Sequence, residues 1–144
     1  MEHQKHRELA TITYWLSTMT IKHHWEKHGL HTQYIGNLTG KELLKAALDT
    51  SGHPRFDELR YVIGDWSYAL ETTTDPADVE ELIAYITAMA FTNPTIKNAS
   101  VMNEKESNQG LVSLYALLAR ELPWDVRSFH TLQEARVWVR EGLS

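Results

Sequence analysis

Residues 34–66, YIGNLTGKELLKAALDTSGHPRFDELRYVIGDW, constrain the fold more than any other stretch. The end of an extended run passes into an amphipathic helix opened by Thr39. Gly52-His53-Pro54 breaks that helix, and the apolar run Leu59–Asp65 follows. A run of this kind reads as a strand covered on both faces, the type found in parallel sheets with helical crossovers. One β-α-β unit of this sort sets the class as α/β.

Patterning along the rest of the chain extends the unit. Met19–Trp25 and Leu30–Asn37 are strand-like runs joined by Glu26-Lys27-His28-Gly29. Gly29 is expected to supply the positive φ of a short hairpin turn. A first helix is expected over 40–50, with Leu43, Leu44, Ala47 and Leu48 as its buried stripe. Residues 66–75 read as a polar loop after the central strand. A second helix over 76–92 carries Val79, Leu82, Ile83, Ile86 and Ala90 on one face, and Asn93-Pro94 ends it. A strand over 96–102, a third helix over 104–121, a strand over 125–129 and a helix over 132–140 complete the order. Thr39, Asn103 and Thr131 each stand three residues before a glutamate, the capping-box pattern. Asp75 precedes Pro76, a cap followed by proline at the first helical position.

The expected architecture is a single α/β domain over 19–144, preceded by an extension over 1–18. Its mixed sheet has about five strands, with an N-terminal antiparallel hairpin and four main helices. Later strands should be parallel through right-handed crossovers.

Composition narrows the function. A chain of 144 residues suits one domain. It has no cysteine, which excludes disulfides, thiolate metal sites and thiol nucleophiles. Net charge is −5 with no basic run, so nucleic acid is not an expected partner. No apolar run approaches the ~20 residues of a membrane span, and no signal-peptide pattern opens the chain. A cytoplasmic protein without a cofactor is expected.

Ligands of open α/β sheets bind beyond the carboxyl ends of the strands, at a switch in strand order. That places an expected partner- or ligand-binding edge at Asn37, Asp65, Trp66, Ser67, Tyr68, Thr74 and Asn103. The long loop over 66–75 would be its working surface, since βα connections usually take ~2–6 residues. The chain also has eight histidines. If the hairpin turn is 26–29, His24 faces His31 with Cβ atoms ~4.5–5.5 Å apart. Two imidazoles so placed can share Zn²⁺ or Ni²⁺, with His28 or Glu26 completing the set. The plainer alternative is a solvated face rich in histidine. Ser67, Ser107 and Ser113 lack a G-x-S-x-G context, and no Gly-rich phosphate loop is present.

GNLTGKELL, HPRFDELRYVIGD, FTNPTIKNASV and ELPWDVRSFHTLQEARVWV together resemble the small bacterial proteins grouped with the STAS and Sec14-like domains. Their fold is called SpoIIAA-like, after the anti-sigma-factor antagonists. The resemblance covers residues 19–142. It implies one of two activities. Antagonists bind an anti-sigma kinase and carry a phosphorylated Ser or Thr in an Asp-Ser-Ser/Thr-Gly-like turn before a helix. The corresponding stretch here is Thr72-Thr73-Thr74-Asp75-Pro76, with hydroxyls but without the Asp-Ser pair or the glycine. Sec14-like members carry lipids in an apolar cavity.

The expected function is a non-enzymatic regulatory or interaction module that binds a protein partner or a small ligand at the carboxyl-end edge. The first alternative is a lipid or hydrophobic-ligand carrier, and the second is a metal-binding enzyme using His24 and His31. A homodimer is compatible with each.

Overall fold

The structure, a computed structural model, describes residues 20–102 and 120–143. The extension over 1–18, the helix expected over 104–121 for nearly all its length, and the cap at Asn103 lie outside the described residues.

Five strands form one sheet in the order β1-β2-β3-β4-β5. They are β1 (Ile21–Glu26), β2 (Gly29–Thr39), β3 (Tyr61–Thr73), β4 (Lys97–Val101) and β5 (Asp125–Phe129). β1 pairs antiparallel with β2, and the other neighbours are parallel. The described helices are α1 (Gly40–Ser51), α2 (Pro76–Thr92) and α3 (Leu132–Arg140).

The caps stand where the sequence places them. Thr39 accepts a hydrogen bond from the Glu42 N–H while the Glu42 side chain accepts from the Thr39 N–H, a complete capping box. Asp75 accepts from the Asp78 N–H just ahead of Pro76. Thr131 accepts from the Glu134 N–H. Each satisfies a backbone donor that the first helical turn leaves without a partner.

Side chains alternate across the sheet, so its two faces have separate cores. Leu30 on β2 packs with Phe56, Leu59, Ile86, Met89, Ala90, Ile96 and Trp124 on the face covered by α1 and α2. Tyr61, Ile63, Ala99 and Val101 pack with Ala135, Trp138 and Val139 of α3 on the opposite face. Ile63 is fully buried, as its run of strand formers requires. Lys97 Nζ donates to the carbonyls of Trp138 and Glu141 at 3.1 Å each, placing a cation at the end of α3.

Four expectations are corrected. Residues 66–73 are not a loop: β3 continues through them beside β2, and only Thr74 and Asp75 connect it to α2. Two register shifts hid the strand. β3 takes three steps from Asp65 to Tyr68 where β2 takes two, from Gln33 to Ile35, and a second shift follows at Gly36 and Asn37. Each extra residue breaks the period of two. Second, His28 rather than Gly29 carries the positive φ of the hairpin turn, at 64°. Gly29 is needed for space, because a Cβ there would lie 2.0 Å from Tyr61 Cζ. Third, Leu48 is exposed rather than part of the α1 stripe, and Thr50 is buried with its hydroxyl donated to the Ala46 carbonyl. Fourth, the described strands follow one another in chain order, so there is no reversal of strand order among them to open a crevice.

Ile63→Ala should cost roughly 2–5 kcal/mol in chemical denaturation, because it empties a fully buried site in the central strand. Gly29→Ala should cost about 1–3 kcal/mol by forcing the Tyr61 ring aside. Combining it with Tyr61→Ala should give less than the sum of the two single losses. Strict additivity would show that the two residues do not compete for the same space.

Candidate functional site

The hairpin register is the one the turn predicts: His24 pairs with His31 and Trp25 with Leu30. Alternation then puts His24, Glu26, His31, Gln33, Tyr61 and Asp65 on the face that α3 covers. Arg136 of α3 completes a connected polar group there. Its guanidinium grips Glu26 with two bonds, Nη1–Oε1 at 3.0 Å and Nη2–Oε2 at 2.8 Å. The Tyr61 hydroxyl donates to Glu26 Oε1 at 2.6 Å. The hydrogen bonds from Arg136, aided by that from Tyr61, outweigh burial and hold the Glu26 carboxyl down at about 2. Burial and the same carboxylate push the Tyr61 hydroxyl up to about 12.

A second branch begins at His31. Its Nδ1 lies 3.5 Å from Arg136 Nη2, and its Nε2 lies 3.0 Å from Asp65 Oδ2. A guanidinium can only donate, so Nδ1 is placed to accept from Arg136 while Nε2 faces the Asp65 carboxylate. Ser67 gives its N–H and its hydroxyl to Asp65 Oδ1 at 3.1 and 2.6 Å. Burial works to raise the Asp65 carboxyl, but the bonds from His31 and Ser67 leave it below its ordinary value.

These bonds bear on the metal expectation. His24 and His31 do meet, with ring centroids 5.6 Å apart. Both nitrogens of His31 are engaged, and His24 Nε2 bonds Gln33 Oε1 at 2.9 Å. Glu26 is held by Arg136. Among the described residues no group of three or more His, Asp or Glu side chains is arranged to hold a metal.

The expected edge residues are dispersed rather than gathered. Asn37 is exposed near the end of β2. Asp65 is buried in the middle of β3, inside the polar group. Trp66 points to the other face, where its ring stacks on Tyr34 at 4.0 Å and 11°. Ser67 and Tyr68 are exposed at the first register shift, and Thr74 is half-buried before α2. Asn103 lies outside the described residues.

On the face covered by α1 and α2, a cavity of about 100 Å³ lies between helices and sheet. Thr32, Tyr34, Gly64, Trp66, Asn98 and Ser100 line it from the strands. Thr32 Oγ1 is bonded to His23 Nδ1 at 2.9 Å. Burial lowers the basicity of the His23 imidazole and pushes the Tyr34 hydroxyl up to about 12. Neither Arg136 nor this cavity is visible in the sequence reading. Arg136 belongs to a helix far along the chain, and the cavity needs the strand register.

Comparison with known proteins bears on the fold. A scan against protein-family models gives no match, and a search of curated proteins gives none. Solved structures do match. The anti-sigma factor antagonist SpoIIAA in its unphosphorylated form aligns with a TM-score of 0.55 and 9% identity, over 85% of this chain and 99% of that one. The Bacillus cell fate determinant SpoIIAA in its phosphorylated form gives 0.53 and 11%, over 83% and 99%. An uncharacterised DUF3478-family protein from Shewanella loihica PV-4 with a SpoIIAA-like fold gives 0.53 and 11%, over 83% and 91%. The fold is therefore SpoIIAA-like, and at these identities the likeness is one of fold alone. No helix among the described residues is long and apolar enough to cross a membrane.

The polar group predicts a defined acid response. Glu26 binds a proton more weakly in the folded chain than in the unfolded one, whose value is near 4.5. Its stabilisation is therefore full above that value and is lost as pH falls toward about 2. Glu26→Gln should destabilise at neutral pH by about 1–3 kcal/mol and flatten the loss of stability below pH 4.5. Unfolding curves taken across that window check it; an unchanged acid slope in the variant would refute the assignment.

Proposed function

We propose that the chain is a non-enzymatic interaction module that takes a protein partner on the carboxyl half of β3. The observation that carries this reading is the exposure of Tyr68 at 63% and Leu70 at 51%. Both stand on a hydrogen-bonded strand rather than on a flexible loop. A large side chain already held in place loses little freedom on binding, and tyrosine is enriched among residues that dominate interfaces. Asn37 and Glu71 pair beside them and supply a polar rim. The similar folds support the reading, since one belongs to a protein described as an anti-sigma factor antagonist.

A photo-crosslinking amino acid at position 68 of the full chain, expressed in its host, tests the proposal. One protein should be captured, and Leu70→Ser should abolish that capture. Tyr68→Ser should change stability by no more than about 0.5 kcal/mol, as expected for an exposed position. Absence of a captured protein, or capture that persists in Leu70→Ser, would overturn the assignment.

A further inference from the structure

We propose that the cavity between the sheet and helices α1 and α2 binds a small single-ring aromatic molecule carrying one hydrogen-bonding group. This site lies on the opposite face of the sheet from Tyr68 and does not depend on the partner surface.

The strand register shows how the cavity arises. Thr32 on β2 pairs with Gly64 on β3, and Gly64 pairs with Ser100 on β4. These three residues form one line across the centre of the sheet, on the face roofed by α1 and α2. The covered face of a parallel sheet is normally filled there by Val, Ile or Leu. Here the line offers a hydroxyl, no side chain and a hydroxyl. Helix α1 sets Ala46 and Ala47 toward the same space. Small residues therefore face small residues, and interiors packed to ordinary density do not leave such a space.

Size and shape limit the occupant. The cavity measures about 100 Å³. Pockets for drug-sized ligands run to ~300–1,000 Å³, while an apolar cavity of roughly 150 Å³ accepts benzene. An acyl chain is too large, and a single flat ring has the right scale. One wall is already a stack: the Tyr34 and Trp66 rings lie 4.0 Å apart and nearly parallel. A third ring extends that stack in the offset manner aromatic groups favour.

Chemistry adds a polar requirement. Ser100 is only 6% exposed, lines the cavity and offers its hydroxyl to an occupant. Thr32 differs, since His23 engages its hydroxyl. A hydrogen bond between the Ser100 hydroxyl and an occupant adds to the packing of the ring. Ring and polar group together define the class.

Phenol is the probe, with benzene as the control lacking a hydroxyl. The full ¹⁵N-labelled chain is titrated with each, following the Trp66 indole and the Thr32, Gly64 and Ser100 amides. Saturable shifts confined to these residues are expected. Ser100→Ala should weaken phenol about 5- to 10-fold, the worth of one neutral hydrogen bond, and leave benzene within about 2-fold. Gly64→Ala should weaken both. It is compatible with the fold, because its Cβ would lie 3.4 Å from Trp66 Nε1 and 3.6 Å from Tyr34 Cε2. Shifts that fail to saturate, or that map to other residues, would show a cavity holding water only and overturn the proposal. Equal losses of phenol and benzene in Ser100→Ala would overturn the polar requirement.

Discussion

The parallel pairing of β2 with β3 is the constraint on which the rest of the molecule depends. These are the two longest strands, and they run side by side from Gly29 and Tyr61 to Thr39 and Thr73. β1 hangs on the outer edge of β2, and β4, which also pairs with β5, meets β3 along residues 61–65 alone. A helix springs from the far end of each long strand. The pairing also decides which side chains meet. It brings His31 beside Asp65 on one face and Tyr34 beside Trp66 on the other. A slip of one residue would exchange the faces and destroy both arrangements.

Polar groups on a covered face are costly unless every one is satisfied. Here the accounting closes: no fully buried side-chain nitrogen or oxygen among the described residues lacks a hydrogen-bond partner. Glu26 receives the guanidinium and a phenol, and Asp65 receives an imidazole and a serine. Removing one member would leave the others buried without partners, which costs more than the intact group contributes. The group therefore specifies how α3 sits on the sheet. The guanidinium needs two oxygens in the plane of its fork, and Glu26 offers them in one place only.

Much of this was readable from the residues, and the failures have physical causes. The caps at Thr39, Asp75 and Thr131 were legible because capping is local, requiring only the right residue three positions ahead of another. The hairpin register followed from the turn, and with it the meeting of His24 and His31. Residues 66–73 were misread because the two shifts erase strict alternation: the inward positions Val62, Gly64, Trp66 and Ala69 step by two, two and then three. Strand-forming residues were present throughout WSYALETT, yet the polar Ser67, Glu71 and threonines suggested a loop. The expected binding edge dissolved for the same reason, since Asp65 is the middle of a strand rather than its end. The tie between Glu26 and Arg136 had no local signal at all.

That tie spans 110 positions of the chain. On the ribosome, Glu26 emerges long before the residue that holds it. At ~5–20 residues per second, the interval is roughly 5–20 s. From the time Tyr61, Ile63 and Val101 are made until α3 follows, the face they form is without the helix that covers it. The nascent protein is thus open to misassociation and to chaperones on this face until α3 has been made, and that helix closes the sheet.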